Sequence, residues 1–289
     1  MLSLNHVFKF GTTILTALVL SACGSSGGGG DNQDSSPVNN NELNQSNTLV
    51  NNNELNQSNT LVNNNELNQS NTLVNNNVVQ QQANKKTGTA FIDDNGSFRR
   101  VTINGYNTTS INVEGINLEI GFPDISAGGW TKTTANDRRI DVCCGRYSDI
   151  RFGINDSLDD NGKFYLFYNG NPTLNMPTSG SASYSGQSIL AIDITESDED
   201  DYHIGNSQFS VDFGNKSLSG SLGINDIQYV NINASISGNS FNGYANTSLL
   251  PSSVASVEGK FYGEQAKQLA GLAEANDNNW AAAFGAQKQ

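Results

Sequence analysis

From residue 87 onward, apolar and polar positions alternate in short runs, and Gly, Asn and Asp punctuate those runs. This predicts antiparallel strands with one buried face; in a helix the apolar positions would recur every third or fourth residue. Residues 89–92 and 97–103 flank Asp93-Asp94-Asn95-Gly96, a hairpin signal. Over 110–120 the apolar set runs Ile111 and Val113, then Ile116, Leu118 and Ile120. The phase change at Gly115 predicts one strand carrying a bulge. Residues 140–143, 150–154 and 163–168 are further strands. The last follows Asp159-Asp160-Asn161-Gly162, which is a turn and not a calcium loop. With Gly162 as a loop's sixth residue, the first and twelfth would be Ser157 and Tyr168, neither a carboxylate.

Eight more strands are predicted over 184–194, 207–213, 218–224, 227–236, 240–248, 254–262, 270–275 and 280–286, with a helix-prone turn over 264–269. Closing eight antiparallel strands removes exposed edges and leaves an interior that side chains fill. The outward positions are rich in Ser and Asn and form no lipid-facing apolar band. The expected fold class is all-β: a β-rich domain over 87–170, then an eight-stranded antiparallel β-barrel over 171–289.

The first 86 residues break this pattern. Lys9 precedes an apolar run over 12–20, and small residues then lead to Cys23. Residues 1–22 therefore predict an export signal, since the run is shorter than the ~20 residues a helical span requires. Leu20-Ser21-Ala22-Cys23 resembles a bacterial lipobox, which makes Cys23 the expected lipidated first residue, and Gly24 after it favours the outer membrane. Residues 23–86 carry NNNELNQSNTLV three times without change, at 39–50, 51–62 and 63–74. So little apolar content cannot offset the entropy of ordering, and the segment is expected to be a disordered tether. As a flexible coil it would reach ~45 Å on average.

Net charge is −13, which excludes nucleic acid as an expected partner. All six arginines (Arg99, Arg100, Arg138, Arg139, Arg146 and Arg151) lie between residues 85 and 170, where 10 basic residues meet 11 acids. From 171 onward there are 4 against 12, and five of those acids, in the run at 196–201, stand between the first two barrel strands. His203 is the one histidine after the export signal, with no nucleophile–base or phosphate-loop motif around it, so no enzyme is expected. Cys143 and Cys144 are adjacent, in a chain bound for an oxidising compartment. They fit a vicinal disulfide, a buried reduced pair or an intermolecular link. A metal site is disfavoured by the missing ligands.

Four ordered blocks resemble the transferrin-binding protein B family, within the wider group of Slam-dependent surface lipoproteins. They are NPTLNMPTSGSASYSG (171–186), VDFGNKSLSGSL (211–222), ISGNSFNGYA (236–245), and GKFYG (259–263) with the terminal strand. The pattern departs at Leu269-Ala270-Gly271, where the family would show a Gly-Gly pair. The resemblance implies that 87–170 is the ligand-binding "handle" preceding the barrel. It implies a lipid-anchored protein at the cell surface, exported by a Slam-type outer-membrane translocon. Its function would be to bind a host iron source (transferrin, haemoglobin or haem) for a partner outer-membrane receptor. The alternative is immune evasion or adhesion, through a complement regulator and without transport. Candidate ligand contacts are Arg138, Arg139, Arg146, Tyr147 and Arg151, because guanidinium groups suit carboxylates and stacked interfaces. No cofactor is expected. Haem as a ligand would fall to Tyr106, Tyr147, Tyr165 or His203.

Overall fold

A computed structural model describes residues 86–122, 128–159, 162–192, 202–224 and 227–289. The export segment, Cys23, the tether repeats and the acidic run at 196–201 lie outside the described residues. What is described is all-β.

The chain enters at β1 (Lys86–Asp94) and folds back as β2 (Ser97–Asn104) around Asn95 and Gly96, both at positive φ. A small hairpin follows, β3 (Ser110–Val113) and β4 (Ile116–Glu119). It corrects the expected bulged strand. Glu114 and Gly115 both have positive φ (53° and 83°), so the phase change marks a two-residue turn. Next come β5 (Thr131–Ala135), β6 (Arg138–Cys143), β7 (Ile150–Ser157) and β8 (Phe164–Gly170). These join β1 and β2 in a six-stranded antiparallel sheet, ordered β2-β1-β8-β7-β6-β5. The sequence predicts no strand at β5, whose TKTTA lacks an apolar alternation. It is held by the turn at Asn136 and Asp137, again both at positive φ.

Every residue of β8 is buried, because both faces of the sheet are covered. On one face Tyr165 and Phe167 join Ile103, Ile140 and Val142 beneath the β3–β4 hairpin. On the other, Phe164, Leu166 and Tyr168 face the barrel.

The barrel is closed by β9 (Ser181–Ile192), β10 (Tyr202–Asp212), β11 (Ser217–Ile224), β12 (Ile227–Ser237), β13 (Ser240–Thr247), β14 (Val254–Tyr262), β15 (Gln268–Ala275) and β16 (Trp280–Lys288). All eight expected strands are present. β10 begins five residues before the expected 207, because Gly205 and the polar positions around it hide its alternation. The helix-prone turn shrinks to one 3-10 turn, Glu264–Ala266. Inside, Phe209, Phe241, Phe261 and Phe284 pack in tilted, edge-on and stacked contacts at centroid separations of 5.2–6.3 Å.

The sheet sits on the outer face of β9, β10, β15 and β16. Phe91, Ile150, Phe152 and Ile154 form one core with Ile189, Ala191, Ala270, Ala281 and Ala283. The alanines on the barrel side of this contact let the larger side chains of the sheet approach. A Cβ added at Gly285 would lie 2.6 Å from Phe152 Cδ1, so glycine is required there. The connection after β8 is laced to the barrel: Thr173 donates from its backbone to Phe261 O (2.9 Å) and from its hydroxyl to Gly263 O (2.7 Å).

Candidate ligand-binding surface

The five candidate side chains do not share one surface. Arg138 and Arg139 open β6, whereas Arg146 and Tyr147 belong to the connection from β6 to β7 at the opposite end and Arg151 lies at the start of β7. Five strand positions separate Arg138 from Cys143, about 17 Å at the rise of an extended chain. Register therefore divides the five candidates between two ends of the sheet.

Each residue has its own role. Arg138 lies over the Tyr165 ring and donates to the side chain of Asn155, to Asn155 O (2.9 Å) and to Lys163 O (2.6 Å). Burial holds its guanidinium below the usual arginine range. It acts as a strut inside the sheet. Arg139 pairs with Asp141 at 3.0 Å and covers Tyr202, a barrel ring stacked on Phe164. The Tyr202 hydroxyl donates to Asp156 (2.8 Å), so this barrel side chain is held by three groups of the sheet.

At the other end, Cys143 and Cys144 are joined in a disulfide and are almost fully buried. Tyr147 is only 2 % exposed. Its ring packs against Phe152, and burial pushes its hydroxyl pKa up. Arg151 donates through Nη1 to Tyr147 O (2.6 Å) and Ile150 O (2.7 Å), closing the loop on itself. Arg146 is exposed and lies 5.1 Å over the Tyr147 ring, its Nη2 donating to the Tyr147 hydroxyl at 3.3 Å. Among the described residues neither Arg146 nor Arg151 has a carboxylate partner.

Of the tyrosines open to haem, Tyr165 is buried beneath Arg138 and Tyr147 beneath Arg146. Tyr106 donates weakly to Ser148 O at 3.4 Å, and burial pushes its pKa up to about 12.

Arg146 and Tyr147 stand beside an open groove of about 440 Å³ whose other wall is the barrel, with Ser185, Gln187, Asn206, Gln208 and Gln287 along it.

Sequence reasoning missed Arg100. From β2 it reaches across to the barrel, binding Glu274 and Glu258 and donating to Ser256 Oγ at 2.8 Å. Glu258 also accepts from Thr89 and from the Tyr168 hydroxyl (3.0 Å). Burial alone would raise the Glu258 pKa. The Thr89 hydrogen bond, the charges of Lys86 and Arg100 and the Tyr168 hydroxyl outweigh it and hold the carboxyl below its ordinary value. Partners 158 and 174 residues apart leave no spacing signal.

The family model that matches residues 176–288 describes the C-lobe and N-lobe β-barrels of transferrin-binding protein B. An uncharacterised protein of Haemophilus influenzae Rd is 42% identical over 300 residues, covering 98% of this chain and 99% of its own. Among solved structures, a Trp-176-Ala mutant of transferrin-binding protein B from Haemophilus parasuis Hp5 matches with a TM-score of 0.54 and 25% identity, over 70% of this chain. The isotype 1 protein of serogroup B Neisseria meningitidis matches in fold, with a TM-score of 0.56 and 21% identity over 71% of this chain. The chain spans 45% and 44% of the length of those two proteins.

Proposed function

The chain belongs to the transferrin-binding protein B-like family, and from that membership we propose that it is an outer-membrane surface lipoprotein that captures a host iron protein. Cys23 is its lipid anchor and residues 23–86 its reach. Transferrin fits the family name best, and a partner outer-membrane receptor takes the captured iron. The observation that carries capture is the Arg146–Tyr147 stack. An exposed guanidinium without a carboxylate partner among the described residues stands at the sheet–barrel junction of an acidic chain. Arginine on a ring presents donors to a carboxylate at little ordering cost.

The test is a pull-down from host serum with the full chain on beads, with the captured protein identified and haem absorbance read on the same sample. Transferrin or haemoglobin is the expected catch. A complement regulator alone would replace iron capture with immune evasion, and an empty bead would remove both readings. Arg146→Glu is expected to weaken capture about tenfold or more by placing a like charge against the partner's carboxylate. Its thermal stability should stay within about 0.5 kcal/mol of the parent, as for an exposed substitution. Unchanged capture would take Arg146 out of the interface.

A further inference from the structure

The outer face of β9, β10 and β16 changes character along its length. Beneath the sheet it presents Ile189, Ala191, Ile204, Ala281 and Ala283. Past the sheet's edge the same outward positions become Ser185, Gln187, Asn206, Gln208 and Gln287, the wall of the 440 Å³ groove. A solvated strand face ordinarily mixes charges of both signs. This one carries no charged side chain, and Arg146 on the facing loop is the one charged side chain among the described residues that line the groove.

The amides are also held in place. Trp130 Nε1 donates to Gln187 Oε1 (3.1 Å), and Gln187 Nε2 donates to Asn206 Oδ1 (2.8 Å). Gln268 Nε2, from the neighbouring strand, donates to Gln287 Oε1 (3.1 Å). Trp130 is itself locked edge-on against Phe152. Side chains oriented before a ligand arrives lose little entropy on binding it.

We propose that this groove is a binding site for a neutral oligosaccharide. A carboxamide presents a donor and an acceptor side by side, matching the alternate donor and acceptor sites of adjacent sugar hydroxyls. A row of such side chains, with no acidic side chain among the described lining residues and no apolar pocket, suits a chain of hydroxyls better than a peptide, whose side chains would require pockets. Arg146, held flat over the buried Tyr147 ring, supplies further donors for sugar hydroxyls at the groove's rim. The proposal deepens the capture reading by supplying a second contact, to the glycan of a host glycoprotein, and it is tested with free sugars so that the two fail separately.

Full-length protein in detergent micelles would be applied to an array of neutral and sialylated oligosaccharides, with unglycosylated peptides as a further panel. Binding to neutral glycans, insensitive to added salt, is the expected result. The double variant Gln208→Ala/Gln287→Ala should lose about tenfold in affinity, as expected for two neutral hydrogen-bonding groups. Its melting temperature serves as the control for folding. A blank array, binding confined to sialylated glycans or to peptides, or equal binding by a folded double variant would overturn the proposal. None of these outcomes bears on serum capture through Arg146.

Discussion

Replacing Phe152 by alanine is expected to destabilise the protein by about 3–5 kcal/mol, the range for truncating a fully buried aromatic residue. The ring is 0 % exposed, lies edge-on to Trp130 at 5.6 Å, packs against Tyr147 and covers the backbone at Gly285. Its loss opens a cavity between sheet and barrel that the small barrel residues cannot collapse to fill. Chemical denaturation followed by tryptophan fluorescence reads the result. Trp130 lies beside the cavity and Trp280 is buried inside the barrel, so early exposure of one indole would separate undocking from global unfolding. A loss below about 1 kcal/mol, as at a surface position, would show that the sheet is not held by this contact.

The second large effect is expected at Arg100. Arg100→Ala leaves Glu258 and Glu274 at the interface without their principal cation and should lower stability by about 1.5–3 kcal/mol, the range for hydrogen bonds to charged groups. The same cluster gives a pH signature. The Glu258 carboxyl is held below its ordinary value in the folded state, so it binds a proton less readily there than in the unfolded chain. Its contribution is fully present above the ordinary carboxylate range and is lost as pH falls through the depressed value. Melting temperature should thus decline on acidification in the parent and decline less in Glu258→Gln. Parallel acid profiles would remove Glu258 as the sensor.

Most of the barrel could be read from the sequence because each strand there has one wet and one dry face. Phe209, Val211 and Phe213 alternate with exposed or half-buried positions, and the structure turns all three inward. β8 could be read for the opposite reason, its unbroken apolar run reporting burial on both faces. The β3–β4 turn was illegible because a phase change at one glycine is common to a bulge and to a tight turn. β5 carries its information in the two turn residues after it. For the site, composition drew attention to the arginines but could not sort them. Whether an arginine covers a tyrosine inside a sheet, as Arg138 does, or stands at a surface, as Arg146 does, depends on strand register. The groove is less legible still: its amides come from three strands, and nothing local marks Gln187, Asn206 and Gln287 as neighbours.

The ring of the barrel is completed by β16 pairing with β9, Lys288 lying opposite Tyr184. That closure has a consequence in time. More than a hundred residues must be available before the first barrel strand finds its second partner, and contacts so distant in sequence make folding slow. β16 also supplies Ala281, Ala283 and Gly285 to the surface on which the sheet docks. Until Trp280–Lys288 is in place, therefore, the barrel stays open and the sheet lacks part of its seat. This last strand sets the moment at which both halves can fold.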